Sequence, residues 1–543
     1  MMKWARRALM AVCVGYWLFC ALTSTEAFYI DDQKTLSFKA KAQTRLSIRL
    51  NDAEGWTFPD AQVGDLVQWR NLALFEIDHD LKELTKSLDI LYPLKALKIK
   101  SKYHLVGRFI YEAVYDVGPQ IFQDVKDNDK ENIDSFSHQY DLWEFYFDFS
   151  RGPWFLRLGR QNLAWGETDI FRLLDGINPL DNTFGGPFED LDDRRIPLWM
   201  LRGTYNLGDI GPIYSLTLEG FWVPGFWDVR VAPFAPFGTP YAAPLPGPFE
   251  RFVRINTPDK DVSNSRWGVR LQGMLGTTLN FSVAHYKTFP DTQALRSVIL
   301  RDVPVLTDLN DLILEASYSD VQVTGATVSF WESHTDVIVR SEVALFWDEA
   351  VFIPEENLAT LYGPTLPLPP PLLDLAAEIF GIDIRDLGLD GLPINPQSGW
   401  IPKKNILRFL IGLDKQMWIR SLNKTNTFFF SLQYFGQWVP DYDERMAQPA
   451  PIYPDLIVFP GVKETEHIFT AVVSTMYRKG TIVPTMAVAY DVRGAWLVNP
   501  VVNFIREPFR FALQYSAIAG NFTSFGLFRD RDQISFIFTY LLN

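Results

Sequence analysis

Strict alternation of apolar and polar residues is the feature that most constrains the fold of this chain. From residue 38 to residue 49, apolar or small side chains occupy one face of an extended segment, and Lys39, Lys41 and Arg45 lie on the other. Such alternation predicts a β-strand. The segment is longer than the usual globular strand of about 5–6 residues and matches the roughly 9–11 residues that cross a bilayer at a tilt.

The same pattern returns along the chain, in residues 99–112, 143–149, 266–273, 428–438, 469–474, 509–516 and 534–542. In a membrane barrel the apolar face contacts lipid and the polar face lines the lumen. We therefore expect Trp143, Phe145 and Phe430 to face lipid, and Glu144 and Gln433 to face the lumen.

Short and long connections alternate along the chain. Residues 150–153, 275–277 and 478–480 form short connections, whereas long loops lie near residues 162–194, 224–263, 289–319, 348–403 and 439–465. Short periplasmic turns and long extracellular loops are typical of outer-membrane barrels. The sequence predicts an all-β protein, a transmembrane antiparallel up-and-down β-barrel of about 18 strands, with about 16 as the alternative.

The N-terminus has the features of a secretory signal. Lys3, Arg6 and Arg7 precede an apolar run over residues 8–23, and Thr25 and Ala27 provide small residues at the −3 and −1 positions of a cleavage site. This arrangement predicts a cleaved signal peptide over residues 1–27 and a single barrel domain over residues 28–543. Cys13 and Cys20, the two cysteines of the chain, lie in the signal peptide, so the mature protein is expected to have none.

Composition limits the possible functions and partners. The formal net charge of −14 argues against nucleic-acid binding, and a mean hydropathy of −0.03 argues against a bundle of membrane helices. We expect the cell outer membrane of a Gram-negative bacterium as the location. The expected partners there are outer-membrane lipid, lipopolysaccharide and the barrel assembly machinery.

Motifs for chemistry are absent from the sequence. Phosphate-binding glycine loops, zinc-protease motifs and nucleophile elbows do not occur, and the six histidines are scattered. We therefore expect no enzyme activity, no metal and no cofactor.

Charged residues of the first three strands fall on one inner face and predict an ionic ladder along the lumen wall. An approximate register places Lys39 and Lys41 opposite Asp78 and Asp80, because cross-strand neighbours of opposite charge stabilise a sheet. The alternative is a selectivity filter, in which Arg45, Arg49 and Arg108 remain unpaired beside water. The predicted ladder comprises Lys39, Lys41, Arg45, Arg49, Glu76, Asp78, Asp80, Lys100, Lys102, Arg108 and Glu112.

A conspicuous run over residues 157–167, continued at residues 178–181, predicts a brace for the loop over residues 162–194. Arg160 is expected to pair with Glu167, because a desolvated guanidinium needs a partner. A substrate site is the alternative. The brace motif comprises Gly159, Arg160, Gln161, Trp165, Gly166, Glu167, Asn178 and Pro179.

This run, together with residues 195–199, 218–222, 266–270, 318–325 and 340–342, resembles domain-of-unknown-function family 1302. The resemblance is clearest over about residues 140–345. Members of that family are regarded as outer-membrane barrels of proteobacteria that occur alongside exporters of hydrophobic compounds and a companion lipoprotein. The resemblance thus implies an inner-membrane exporter and a lipoprotein as partners.

The function expected from these features is passage or export of small apolar or amphipathic molecules through an outer-membrane barrel. A structural or adhesive barrel with a plugged lumen is the first alternative, and an outer-membrane barrel hydrolase is the second. A constricted lumen would favour a path for hydrophobic molecules, or no path, over an open porin.

Overall fold

The computed structural model describes residues 28–51, 61–82, 92–168, 171–185, 188–236, 238–242, 253–299, 312–359, 365–367, 370, 371, 374, 391–393, 397–448, 450–453, 457–459 and 461–542. The predicted signal peptide lies outside these residues.

Eighteen antiparallel strands form one closed sheet. Each strand pairs with the next along the chain, and the last pairs with the first, as Ala40 opposite Leu542 and Arg49 opposite Gln533 show. The predicted 18-stranded antiparallel barrel is therefore confirmed. The strands are β1 (Leu36–Arg49), β2 (Leu66–Asp80), β3 (Lys100–Glu112), β4 (His138–Arg151), β5 (Trp154–Gln161), β6 (Leu198–Ile210), β7 (Ile213–Val223), β8 (Arg266–Leu275), β9 (Leu279–Thr288), β10 (Val321–Glu332), β11 (Val337–Ala350), β12 (Lys403–Met417), β13 (Phe428–Trp438), β14 (Thr465–Thr475), β15 (Ile482–Asp491), β16 (Ala495–Arg506), β17 (Phe509–Gly520) and β18 (Gln533–Leu542).

The outer face of the barrel is apolar and the inner face is polar. Phe38, Phe75 and Phe109 contact one another across β1, β2 and β3, with ring centroids 6.3 and 5.7 Å apart. Phe75 is 41% exposed on this surface, whereas Gln68, seven positions earlier on the same strand, is fully buried. This arrangement inverts that of a soluble protein, in which the apolar face of a sheet packs into the core.

Strand β4 departs from the predicted alternation at Trp143. The register jumps from Val106 opposite Glu144 to Gly107 opposite Leu142, so Trp143 occupies a β-bulge. A bulge adds one residue to its strand and re-aims the side chains beyond it. Trp143 consequently lies inside the barrel beneath Arg108, and the expectation that it faces lipid is wrong.

The two ends of the barrel differ. At one end tight turns join β4 to β5, β6 to β7, β8 to β9, β10 to β11 and β16 to β17. The other end carries helices Gln120–Asn128 and Lys130–Ser137, helical turns Val114–Val117 and Pro354–Asn357, and a small sheet of Val253–Asn256, Ala294–Ile299 and Leu312–Ser317. A further helical turn, Leu191–Arg194, belongs to the chain between β5 and β6. Short strand pairs join Thr365–Pro367 to Gly391–Pro393 and Ala450–Tyr453 to Ile457–Phe459. Phe28–Tyr29 extends the sheet beside β1, and helix Tyr92–Ala96 lies between β2 and β3.

The largest clusters of buried apolar residues lie inside the barrel. The chain that leaves β5 contributes Leu163, Trp165 and Leu174 to one cluster, where they pack against wall residues such as Tyr286 and Val323. The lumen is therefore filled by the polypeptide between β5 and β6 where these residues pack against the wall. Among the described residues, no helix is long and apolar enough to span a membrane.

Candidate functional site in the barrel lumen

Residues 162–197, which we call the inner segment, leave the wall after β5 and return to it at β6. Asn178 joins the two ends of the segment: its side-chain oxygen accepts a hydrogen bond from the Leu163 amide at 2.9 Å, and its side-chain nitrogen donates to the Ile196 carbonyl at 2.8 Å. The Ile196 amide also donates to the Pro179 carbonyl at 2.8 Å. Asn178 is fully buried, so these bonds have no competition from water.

Glycine is required where the segment departs. Gly159 has φ of +139°, a backbone conformation that L side chains rarely adopt, and an added Cβ would lie 2.2 Å from the Phe145 carbonyl oxygen. The neighbouring Gln161 is fully buried and donates to the Met200 carbonyl at 3.1 Å. An added Cβ at Gly166 would lie 3.0 Å from the Asp175 amide nitrogen, so close packing of the segment on itself also needs glycine there.

One side of the inner segment is fastened to β7 and β8 through Glu219. The Trp165 indole donates to the Glu219 carboxylate at 3.1 Å. The same carboxylate accepts hydrogen bonds from Arg202 at 2.6 Å and from Arg270 at 2.6 and 3.0 Å. The Glu219 side chain is fully buried, and one carboxylate therefore holds two wall arginines and the inner segment together.

A second attachment on this side uses Glu342 of β11. Its two carboxylate oxygens accept hydrogen bonds from the backbone amides of Glu167 and Leu174. The neighbouring Arg340 donates to the Glu167 carbonyl at 2.6 Å and contacts Asp414 of β12 at 2.8 Å. A wall carboxylate thus satisfies two buried amides that no helix or strand would otherwise pair.

The opposite side of the inner segment reaches β1, β2 and β17. Glu189 forms an ion pair with Arg45 and accepts a hydrogen bond from Gln68 at 3.1 Å. Gln514 donates to the Phe188 carbonyl at 3.3 Å. The guanidinium of Arg70 lies 3.0 Å from the centre of the Phe184 ring. Because the segment is fastened to opposite walls, it crosses the lumen.

Part of the proline-rich loop over residues 224–263 also reaches the inner wall. The Tyr241 hydroxyl donates to Gln533 of β18 at 3.1 Å, and the Ala242 carbonyl accepts from Arg531 at 2.7 Å. Burial raises the pKa of the Tyr241 hydroxyl above its ordinary value. Tyr241 packs with Phe188 of the inner segment in one apolar cluster, so the two loops support each other.

Buried charge within the segment is largely compensated. Burial raises the pKa of the Asp175 carboxyl, while the guanidiniums of Arg172 and Arg195 act in the opposite direction. Arg195 contacts Asp175 at 2.5 Å and Asp192 at 2.6 Å. Burial and the nearby carboxylates of Asp193 and Glu189 raise the pKa of Asp190.

Part of the predicted ionic ladder forms ion pairs in the structure, but the register between the strands differs from the predicted one. Lys39 lies opposite Glu76, with its ammonium 2.6 Å from that carboxylate and 3.5 Å from Asp78. Lys41 lies opposite Leu74, and its charged partner is Asp193 of the inner segment at 3.4 Å. The expected pairing of Lys41 with Asp78 or Asp80 is therefore wrong, because alternation within each strand does not specify the register between two strands.

The remaining ladder residues lie near the turn end or deep in the lumen. Asp80 lies opposite Lys102 and accepts a hydrogen bond from the Lys82 amide at 3.0 Å. Among the described residues, Lys100 and Lys102 form no ion pair with a carboxylate. Glu112 is buried at the other end of β3, where it accepts from the Trp69 amide at 2.6 Å.

The arginines that a selectivity filter would expose are buried. Arg45, Arg49 and Arg108 are 6%, 0% and 4% exposed, respectively. Arg45 pairs with Glu189, and Arg108 donates to Gln139 at 2.8 Å and lies 3.0 Å from the Trp143 ring centre. A filter needs unpaired charge beside water, so the alternative of a filter built from these three residues is wrong.

Arg160 does not pair with Glu167. Its guanidinium contacts both oxygens of Asp141 in β4, at 2.6 and 2.7 Å. The Glu167 backbone is instead held by Glu342 and Arg340. The expected pair is wrong because β4 extends past the end of β5 and brings Asp141 within reach, which sequence spacing does not indicate.

Glu219, Glu342 and Tyr241 are the main contacts that sequence reasoning missed. Glu219 and Glu342 each alternate with apolar neighbours and therefore look like ordinary lumen-facing residues. Tyr241 stands in a proline-rich loop that gives no periodic signal. A buried carboxylate with three donors is recognisable only once the strands and the inner segment are assembled.

Glu76, Asp78 and His104 are close enough to be considered for a metal ion. The His104 Nδ1 atom lies 2.7 Å from Asp78, and the Lys39 ammonium lies 2.6 Å from Glu76. Both carboxylates already have hydrogen-bond partners, Lys39 for Glu76 and His104 for Asp78, which favours a structural role over metal binding.

The architecture defines a class: a closed β-barrel with an apolar exterior and a polar lumen that an inward-folded segment crosses. Within this class the chain belongs to the family described as protein of unknown function (DUF1302), whose profile matches residues 6–542. The predicted family is thereby confirmed.

No curated protein sequence matches this chain. Among solved structures, the barrel is similar to OccK9 (OpdG) from Pseudomonas aeruginosa, with 10% identity, 95% of this chain and 100% of that chain covered, and a TM-score of 0.45. It is also similar to a BenF-like porin from Pseudomonas fluorescens Pf-5, with 8% identity, 95% and 100% coverage, and a TM-score of 0.45. Similarity to OccAB4 from Acinetobacter baumannii covers 93% and 98% of the two chains at 10% identity and a TM-score of 0.44.

Proposed function

We propose that this protein is an outer-membrane barrel through which small amphipathic molecules pass alongside the inner segment. The observation that carries the proposal is the inner segment itself, which is fastened to β7 and β11 on one side and to β1 and β17 on the other. A lumen crossed in this way excludes bulk solutes and favours molecules that can make specific contacts with the segment.

The apolar exterior supports insertion in a membrane. Leu158, Leu432 and Phe469 are 51%, 54% and 49% exposed on strands whose opposite face lines the lumen. Exposed apolar surface on every side of a barrel is costly in water and stable against lipid. In this placement the tight turns face the periplasm and the long loops face the cell exterior.

The seam between the inner segment and the β13 wall supports an amphipathic substrate. Phe171 contacts Phe435 of β13 and Phe525 of the β17–β18 loop, with ring centroids 5.2 and 5.9 Å apart. Aromatic contacts such as these can separate without leaving an unpaired hydrogen-bonding group, whereas separation at Glu219 would leave its buried hydrogen-bond partners unpaired. The apolar part of a molecule can therefore pass along the seam while its polar part contacts the surrounding lumen.

A permanently plugged structural barrel is the second candidate. Buried ion pairs on both sides of the segment, at Glu219 and at Glu189, favour it, because breaking such pairs is costly.

Solute flux into vesicles separates the two candidates. We expect the reconstituted protein to pass p-toluenesulfonate, an impermeant aromatic anion, faster than gluconate of similar size. The variant Phe171→Ala, which opens the seam, should increase the flux, whereas Phe430→Ala on strand β13 serves as the matched control and should not. Absence of flux in the native protein and in Phe171→Ala alike would support a plugged barrel.

A further inference from the structure

The wall of the barrel is incomplete beside β4. Residues 145–151 of β4 pair with β5, but residues 138–144 pair with β3 alone, because β5 ends at Gln161. At the usual strand tilt of 35–45°, the unpaired stretch corresponds to about 18 Å of wall height. This is a large part of the roughly 30 Å hydrocarbon core of a bilayer. We call this stretch the β4 notch.

An arginine side chain enters the β4 notch. By register, Arg160 shares the outer face with Phe145 and Trp199, which lie opposite it on the two neighbouring strands. Its guanidinium nevertheless binds Asp141, which lies opposite the lumen residue Arg108. Arg160 is 6% exposed, so its side chain passes into the gap instead of lying on the apolar surface.

Side chains, rather than a backbone ladder, close the notch. Arg160 binds Asp141 and donates to the free Leu142 carbonyl at 2.5 Å. Asn162 donates to the Glu144 carboxylate at 2.8 Å. Side-chain contacts can open by rotation about single bonds, whereas a strand ladder opens only when several hydrogen bonds break together.

The two mouths of the notch differ in chemistry. On the outer surface Tyr140 is 78% exposed and Leu142 is 41% exposed. On the inner side Arg108 lies beneath the wall with Gln139 as its hydrogen-bond partner, and its Nε atom makes no hydrogen bond. Among the described residues, no carboxylate lies within ion-pair distance of Arg108; Asp181 and Asp141 act on it from a greater distance, and Asp141 is already bound to Arg160.

We propose that the β4 notch is a lateral opening between the lumen and the outer leaflet of the membrane for an amphiphile with an acidic headgroup. The acidic headgroup binds Arg108. The Arg160–Asp141 ion pair keeps the notch closed until its side chains rotate apart, and the apolar tail then leaves past Leu142 and Tyr140. The Arg108 guanidinium, whose hydrogen-bond partner is the neutral Gln139, selects an anion at the inner mouth, and the apolar outer mouth selects a tail that is soluble in lipid. This inference rests on the proposed passage of amphipathic molecules and names their class and exit.

Photolabelling from the membrane tests the opening. The probe is dodecanoate with a diazirine in its chain, loaded into phosphatidylcholine nanodiscs that hold the full-length mature protein, so that no other lipid is anionic. Because the mature chain is expected to lack cysteine, the pair Glu144→Cys and Asn162→Cys can be joined by a short reducible crosslinker to lock the notch. The pair Asp148→Cys and Arg157→Cys, which joins β4 to β5 below the notch, is the matched control.

We expect dodecanoate to label the lumen residues around Trp143 in the unlocked protein. The notch lock should reduce this labelling about tenfold and reductant should restore it, whereas the control lock should leave it unchanged. Replacing Arg108 with Gln should weaken labelling by about tenfold, the usual effect of losing one charge-assisted hydrogen bond, and Arg108→Lys should retain most of it. The dodecanol analogue should label the lumen weakly in every variant.

Lumen labelling that the notch lock leaves unchanged, or its absence from all variants, would overturn the lateral opening. Equal labelling by dodecanol and dodecanoate would overturn the proposed preference for an acidic headgroup. Flux of p-toluenesulfonate through the same variants reconstituted in vesicles keeps failure of the proposed function separate, because that flux tests passage along the lumen and does not need the notch.

Discussion

Replacing Glu219 with Gln tests whether the inner segment is held by the buried charge of one carboxylate. The substitution preserves the size of the side chain but removes the one carboxylate that both the Arg202 and the Arg270 guanidinium contact. Both arginine side chains are mostly buried, at 23% and 13% exposure, so solvent compensates little for the loss. Breaking a buried pair in this way costs about 3–5 kcal/mol.

If most of that cost falls on local opening, the open population of the segment rises by about a hundredfold or more. Hydrogen exchange measures this opening at the Glu167 and Leu174 amides, which are protected by Glu342. We expect these amides to exchange correspondingly faster in Glu219→Gln, while amides of β15 remain unchanged. The control Glu507→Gln alters an exposed ion pair with Arg510 and should change neither.

Unchanged exchange of the segment in Glu219→Gln would refute the idea that this carboxylate fastens it. Faster exchange throughout the barrel would show that Glu219 stabilises the wall instead.

Three further predictions address other parts of the molecule. Asn178→Ala should lower the free energy of unfolding by about 1–3 kcal/mol, measured by thermal unfolding in detergent, whereas Asn132→Ala on an exposed helix should not; equal stability of the two variants would contradict the buried brace. Cysteine at Glu76, on the lumen face, should react with a water-soluble thiol reagent, whereas cysteine at the adjacent Phe75 should not; the reverse result would overturn the assignment of the two faces. The Lys126 ammonium holds the pKa of Asp134 below its usual range, so its stabilisation of helix Lys130–Ser137 is present above about pH 4 and lost as the pH falls through the lowered pKa. Limited proteolysis of this helix should therefore increase in acid, and Lys126→Met should weaken the pH dependence to the part that His138 and Lys130 supply; an equal dependence in Lys126→Met would refute this cause.

The fold could be predicted from the sequence because barrel strands carry their own signal. Residues 38–49 alternate strictly, and a shift by one residue would place Lys39, Lys41 and Arg45 in lipid, which costs roughly 2–4 kcal/mol for each charge at mid-membrane. The chain therefore specifies which face of each strand is inside. The bulge at Trp143 shows the limit of this reasoning, because one added residue reverses the pattern without any local sequence mark.

The candidate site was only partly predictable. The motif around Gly159, Asn178 and Pro179 indicated a braced loop, since glycine and Asn-Pro mark places where the backbone must turn. Its actual attachments, at Glu219, Glu342 and Glu189, come from strands far away in sequence. No spacing rule relates residues that meet only because the barrel closes.

The sequence alone thus determined the fold class, the approximate number of strands and, apart from the bulge at Trp143, the polarity of each face, because these depend on a period of two within single strands. The tertiary structure decided how the strands are registered, which carboxylate each arginine binds and how the inner segment crosses the lumen. Arg160 illustrates the difference: its partner Asp141 is set by how far β4 extends beyond β5, a relation between two strands rather than a property of either.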